Sequence, residues 1–151
     1  MRTTTTITQL STDAERRAAF PILNELRTHL DEESFAEQYE QMHEEGYRLF
    51  GLYDGDELVA VTGVKTATNF YLGKHAYVYD LVTTESRRSE GFGAELLEFV
   101  HDWAVGEGCE AVELESGLWR DDAHRFYTDR LGYEKYCYSF TYDLTNDGDG
   151  E

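Results

Sequence analysis

A chain of 151 residues with 31 Asp plus Glu against 13 Lys plus Arg carries a formal net charge of −18. That length can bury the core of one domain without disulfides or metal, and the acidity excludes nucleic acid as an expected partner, since such binding relies on basic side chains releasing counterions from phosphates. No stretch is apolar enough for a membrane helix, and the threonines after Met1-Arg2 do not make a signal-peptide core, so a cytoplasmic protein with no membrane partner is expected.

Residues 3–10 read as a first strand, with Ile7 and Leu10 its large apolar residues. Thr12-x-x-Glu15 and Ser34-x-x-Glu37 are capping-box patterns, each opening a run with helical apolar spacing. Pro21 falls inside the first run and predicts a kink or a split there. From residue 48 to 71 the pattern is that of strands, with Asp54-Gly55 a hairpin signal between them. A strand over about 75–83 leads into a glycine turn, a helix over about 91–105 and a strand over 109–115. Asp121 is a candidate cap for a helix through Leu131, which Gly132 would end. Alternation of aromatic and polar residues predicts a half-buried strand over 136–144, followed by a flexible acidic tail, 145–151. The order β-α-α-β-β-β-α-β-α-β describes one mixed α/β domain, of α+β type, over 1–144.

The strand-to-helix junction Arg87-Arg88-Ser89-Glu90-Gly91-Phe92-Gly93 has the character of an anion cradle. Glycine lets the backbone approach a ligand closely, and the unpaired N–H groups and dipole of a helix's first turn favour a phosphate. A P-loop would need G-x-x-x-x-G-K-[ST], and a dinucleotide fingerprint would need a third glycine where Leu96 stands. The pattern present is R-x-x-G-x-G at Arg88–Gly93, preceded by Asp80-Leu81-Val82 and followed by Phe126-Tyr127 and Gly132-Tyr133. This combination resembles the GNAT superfamily of N-acetyltransferases.

The resemblance implies the GNAT fold, a central mixed, mostly antiparallel sheet of six to seven strands flanked by about four helices. It implies acetyl-CoA as co-substrate and no metal, with the pyrophosphate wrapped by Arg87, Arg88, Ser89, Glu90, Gly91, Phe92, Gly93 and Ala94. The pantetheine arm would pair with the backbone of Leu81, Val82 and Thr83, with Phe126 nearby. Tyr127 matches the tyrosine that protonates the departing CoA thiolate in much of the family. A phenol pKa near 10 against a thiol near 8.5 makes full transfer uphill by roughly 2 kcal/mol, so a hydrogen bond to the developing thiolate can serve.

An amine acceptor must be neutral to attack, and a lysine-like amine is neutral only about once in a few thousand molecules at pH 7. Asp80, Glu113 and Glu115 are the candidate carboxylates for proton removal, Asp80 leading because it adjoins the cofactor-pairing segment. Trp119 stands in a segment where many members carry an asparagine. The expected activity is direct acetyl transfer to a primary amine on a metabolite or a protein, by a monomer or homodimer. A non-catalytic acyl-CoA sensor or scaffold is the alternative. Cys109 and Cys137 lie far apart in apolar runs, and no histidine spacing suggests ligands. The acid surplus reads as adaptation to a salty, halophilic-type cytoplasm, because a Debye length of about 3 Å near 1 M salt would screen the chain's self-repulsion.

Overall fold

The structure is a computed structural model; it describes residues 4–114, 128, 131–134 and 140–145. The chain divides into two compact units, Met1–Leu114 and Glu115–Glu151. The sheet, helices and cavity below belong to the first.

The elements run β1 (Thr5–Gln9), α1 (Asp13–Leu26), α2 (Glu32–Glu44), β2 (Arg48–Asp54), β3 (Glu57–Asn69), β4 (Gly73–Thr83), a 3₁₀ turn (Glu85–Arg87), α3 (Phe92–Gly106) and β5 (Ala111–Leu114). The strands form one sheet in the order β1-β2-β3-β4-β5. The first four pair antiparallel, and β5 joins β4 in parallel after the crossover through α3. No described helix is long and apolar enough to cross a membrane.

The described residues thus hold five strands and three α-helices, fewer than the six to seven strands and about four helices expected. The expected helix over 121–131 and strand over 136–144 fall mostly outside the described residues. Within that last segment Phe140, Tyr142 and Leu144 are exposed, and residues 140–143 form no strand. Alternation alone does not make a strand, and residues 140–143 have no ladder partner among the described residues.

Two helix expectations resolve differently. Around α1, Thr12 accepts the Glu15 N–H while the Glu15 carboxylate accepts the Thr12 N–H, the capping box read from sequence. The α2 helix instead begins three residues earlier than Ser34-x-x-Glu37 implies. Asp31 is its N-cap, accepting the Ser34 N–H at 2.7 Å, and the Ser34 hydroxyl accepts the Asp31 N–H at 3.1 Å. Ser34 is therefore the third helical residue, because a carboxylate three positions upstream outcompetes it for the orphan N–H groups. Pro21 sits inside an unbroken α1, so the helix is not split.

Strand alternation sends neighbouring side chains to opposite faces of the sheet. Leu49 packs with Leu23, Phe35 and Tyr39 of α1 and α2. Phe50, next to it, meets Phe99 and Trp103 of α3 at ring separations of 5.0 and 5.8 Å. The sheet is accordingly covered by α1 and α2 on one side and by α3 on the other. Its central irregularity lies between β3 and β4, where Gly63 pairs with Asp80 and Val64 with Val78, leaving Tyr79 as an extra residue. Such a bulge bends the strand and re-aims side chains.

Candidate active site

The bulge turns two adjacent side chains, Tyr79 and Asp80, toward one cavity beside α1 and α2. Asp80 is buried, with its backbone carbonyl pinned by the Thr62 hydroxyl at 2.7 Å. Each carboxylate oxygen has a donor: Arg27 Nε reaches Oδ1 at 2.9 Å and the Tyr47 hydroxyl reaches Oδ2 at 2.7 Å. The Arg27 guanidinium also donates to the Tyr79 carbonyl at 2.7 Å. Tyr47 arrives from the residue before β2 by lying across β3 at Gly63, where a Cβ would stand 1.7 Å from its hydroxyl. Burial, with the Asp80 carboxylate alongside, pushes the Tyr47 phenol above its usual pKa and keeps it a hydrogen-bond donor.

The cavity has a volume of about 290 Å³. Leu23, Leu30, Phe35 and Met42 supply much of its apolar wall, and Tyr39 and Tyr79 add aromatic surface. The corner between α1 and α2 is held by the Asn24 side-chain amide, which donates to the Arg27 and Leu30 carbonyls at 2.9 Å each.

The glycine turn lies between β4 and α3. Ser89 (φ 69°) and Gly91 (φ 88°) both take the left-handed conformation, one that recurs where backbone N–H groups form anion-binding nests. Whereas α1 and α2 have side-chain caps, α3 begins at Gly91 with none, and the space around the missing Gly91 Cβ is open. A left-handed non-glycine residue costs about 1–2 kcal/mol, so the Ser89 geometry is held by its surroundings. These features fit a pyrophosphate bound through backbone N–H groups. Ala94 continues the helix, and Phe92 turns its ring into the core, leaving only its backbone for a ligand.

The two arginines of the motif separate. Arg87 is engaged by Asp54, Glu57 and Glu90 at 2.5, 2.5 and 3.1 Å, which tie the turn to the β2–β3 hairpin and raise the guanidinium pKa further. Arg88 is the more exposed, with its Nε donating to the Thr83 carbonyl at 3.3 Å. Glu25 of α1 accepts from the Thr84 hydroxyl at 2.7 Å and the Glu85 N–H at 3.0 Å, and stands 3.8 Å from Arg88.

Ahead of this turn, β5 pairs with β4 only from His75 to Val78. On that edge, residues 79–83 have no strand partner among the described residues, although β3 pairs their other edge. Val82 is buried, Leu81 is half-buried against the core, and Thr83 is half-buried.

Of the other carboxylate candidates, Glu113 is half-buried and lies 3.6 Å from Nε2 of buried His75 rather than in the cavity. The His75 Nδ1 contacts the Gly73 carbonyl at 3.0 Å, an acceptor only, so Nδ1 carries the hydrogen. Glu115, Trp119, Phe126, Tyr127 and Cys137 lie outside the described residues. Cys109 is half-buried, and burial pushes its thiol pKa up. Among the described residues no cluster of three or more His, Cys, Asp or Glu could hold a metal ion. Sequence reasoning missed Arg27 and Tyr47, which hold Asp80; the available signal was Gly63, an isolated glycine in a strand, which marks close approach by another group.

Known proteins resemble the chain in sequence and in fold. A Bacillus subtilis protein named uncharacterized N-acetyltransferase YhdJ is 41% identical over 133 residues, covering 87% of this chain and 94% of the relative. An aminoalkylphosphonate N-acetyltransferase of Salmonella typhimurium is 36% identical over 64 residues, 42% of this chain and 41% of the relative. The fold matches aminoglycoside N-acetyltransferase AAC(6')-Iy, solved in complex with CoA, at a TM-score of 0.82 and 12% identity over 95% of this chain and 96% of that one. It also matches an aminoglycoside acetyltransferase from an uncultured soil metagenomic sample in complex with sisomicin, at a TM-score of 0.78 and 16% identity over 93% of this chain and 96% of that one. With the acetyltransferase (GNAT) family profile matching residues 11–133, the chain belongs to that family and is an enzyme of the N-acyltransferase type.

Proposed function

We propose that this enzyme transfers the acetyl group of acetyl-CoA directly to a primary amine, without an acyl-enzyme. The observation that carries the reading is the pairing of an uncapped, left-handed glycine turn at the start of α3 with a β4 edge that has no described strand partner at residues 79–83. The turn's N–H groups and Arg88 would hold the pyrophosphate, and the backbone of Leu81, Val82 and Thr83 would pair with the pantetheine arm. Arg87 is then a strut that shapes the turn, since three carboxylates already engage it.

The acceptor would enter the cavity beside Tyr79 and Asp80. Asp80 would orient the amine and receive its proton through water, a reading supported by Arg27 and Tyr47, which fix the carboxylate. Glu113, occupied with His75, is the weaker candidate for that role. Tyr127 is assigned the acid that meets the departing thiolate. Holding the reactants in attack geometry supplies much of the rate. The region over 1–144 acts as one catalytic domain, as a monomer or homodimer in a salty cytoplasm, with no nucleic-acid or membrane partner.

Release of CoA thiol from acetyl-CoA across an amine panel, beside calorimetry of acetyl-CoA binding, tests the reading. Tyr127→Phe is expected to lower turnover with little change in acetyl-CoA affinity; unchanged turnover would remove the acid role. Tight binding without turnover on any amine would instead identify a sensor, and failure to bind CoA esters would overturn the assignment.

A further inference from the structure

Resting on the acetyl-transfer reading, we infer that the acceptor is a small monoamine carried on an apolar or aromatic body, rather than a polyamine, an amino sugar or a lysine side chain of a protein. Charge is the first argument. The chain has 31 acidic residues, yet Asp80 is the one acid lining the cavity among the described residues. Its charge is already matched by Arg27 at 2.9 Å. A polycation entering here would desolvate several ammonium groups with no unpaired acid among the described lining residues to receive them, a heavy cost in a largely apolar site. In the high-salt assay below, the acid surplus elsewhere on the chain is screened beyond a few ångströms.

The wall is the second argument. Phe35, Tyr39, Tyr47 and Tyr79 form a run of rings from α2 to the bulge, with successive centroids 6.3, 6.1 and 6.1 Å apart. The run is held in place, not merely present. Tyr39 stacks on His43 at 5.6 Å and carries the Arg16 guanidinium 4.5 Å above its ring, and Tyr47 is fixed by Asp80. Tyr79 is the exposed ring of the run and the buried rings behind it hold it in place, an arrangement that favours a flat or hydrocarbon ligand. The volume, about 290 Å³, lies at the lower end for small-ligand sites. An amine drawn into such surroundings also gives up its proton more readily than in water, which is the state required for attack.

The test uses the full-length chain with acetyl-CoA in high salt, following thiol release with phenethylamine, hexylamine, spermidine, kanamycin and a lysine-containing peptide. The two monoamines are expected to show kcat/KM values at least about tenfold above the other three. Gln38 lies exposed at the cavity rim, and Gln38→Glu keeps its shape while adding a carboxylate. That variant should raise kcat/KM for spermidine relative to that for phenethylamine. Equal or better use of spermidine, kanamycin or the peptide by the wild type would overturn the inference. So would silence of both monoamines while acetyl-CoA still binds. Absence of acetyl-CoA binding would overturn the acetyl-transfer reading itself, and the acceptor assignment with it.

Discussion

Gly63→Ala isolates the contact on which the Asp80 site depends. A methyl group there would stand 1.7 Å from the Tyr47 hydroxyl and 2.2 Å from Cζ, separations no rotamer adjustment of a methyl can relieve. The Tyr47 ring, 3% exposed, must leave its place and release Asp80. The hydrogen bond to a charged group is worth about 1.5–3 kcal/mol, and burial of the ring about 2 kcal/mol more. A loss of about 4 kcal/mol lowers the Tm of a domain this size by about 12 °C. Thermal unfolding of Gly63→Ala, Tyr47→Ala and the double variant measures it. With the ring already gone, the methyl group should cost less than about 0.5 kcal/mol, so the two changes should be strongly non-additive. A Gly63→Ala variant melting within about 2 °C of the wild type, or additive losses in the double variant, would refute the argument.

Tyr47→Phe leaves the Asp80 oxygen without its donor and should cost about 1.5–3 kcal/mol at neutral pH. The folded phenol titrates above the unfolded value of about 10, so its contribution is intact below that pH and is lost as pH rises toward the folded value. The Tm gap between wild type and Tyr47→Phe should therefore narrow from about pH 8 to about pH 11, and a gap that widened would contradict the assignment. For Gly93→Ala, the new Cβ would sit 3.6 Å from the Thr83 hydroxyl, an ordinary contact. Its Tm should hold or rise, as alanine suits a helix better than glycine, while KM for acetyl-CoA rises about tenfold if the pyrophosphate approaches that backbone; unchanged KM would reduce the glycine turn to a chain reversal. Finally, Tm should climb as KCl is raised from about 0.1 to 2 M. A flat response would remove the salt explanation for the charge of −18.

What was legible in the sequence was mostly local. The Asp54-Gly55 hairpin, the Thr12–Glu15 box and the strand–glycine–helix junction each depend on residues within a few positions of one another. The α2 start was misread because Asp31–Ser34 and Ser34–Glu37 share the same spacing, and only the three-dimensional hydrogen bonds distinguish them. Arg87 and Arg88 read as one basic pair, but the 3₁₀ turn sends the first to Asp54 and Glu57, some thirty positions away. Asp80 was legible as a candidate by its place beside the expected cofactor-pairing segment, Leu81 to Thr83. The residues that hold it were not, because Tyr47 and Arg27 come from 33 and 53 positions upstream.

The end of α1 brings together Glu25, which grips Thr84 and Glu85 ahead of the glycine turn, and the helix's C-cap residue Arg27, which grips Asp80 and the Tyr79 carbonyl. Two residues apart at one helix end, they join the two regions through a short stretch of backbone. An acceptor that shifted Arg27 would, through this link, shift the segment ahead of the glycine turn proposed to hold the pyrophosphate. Any resulting change in affinity must be mutual: an acceptor that tightens the hold on the donor is itself held more tightly, by the same factor, once the donor is bound.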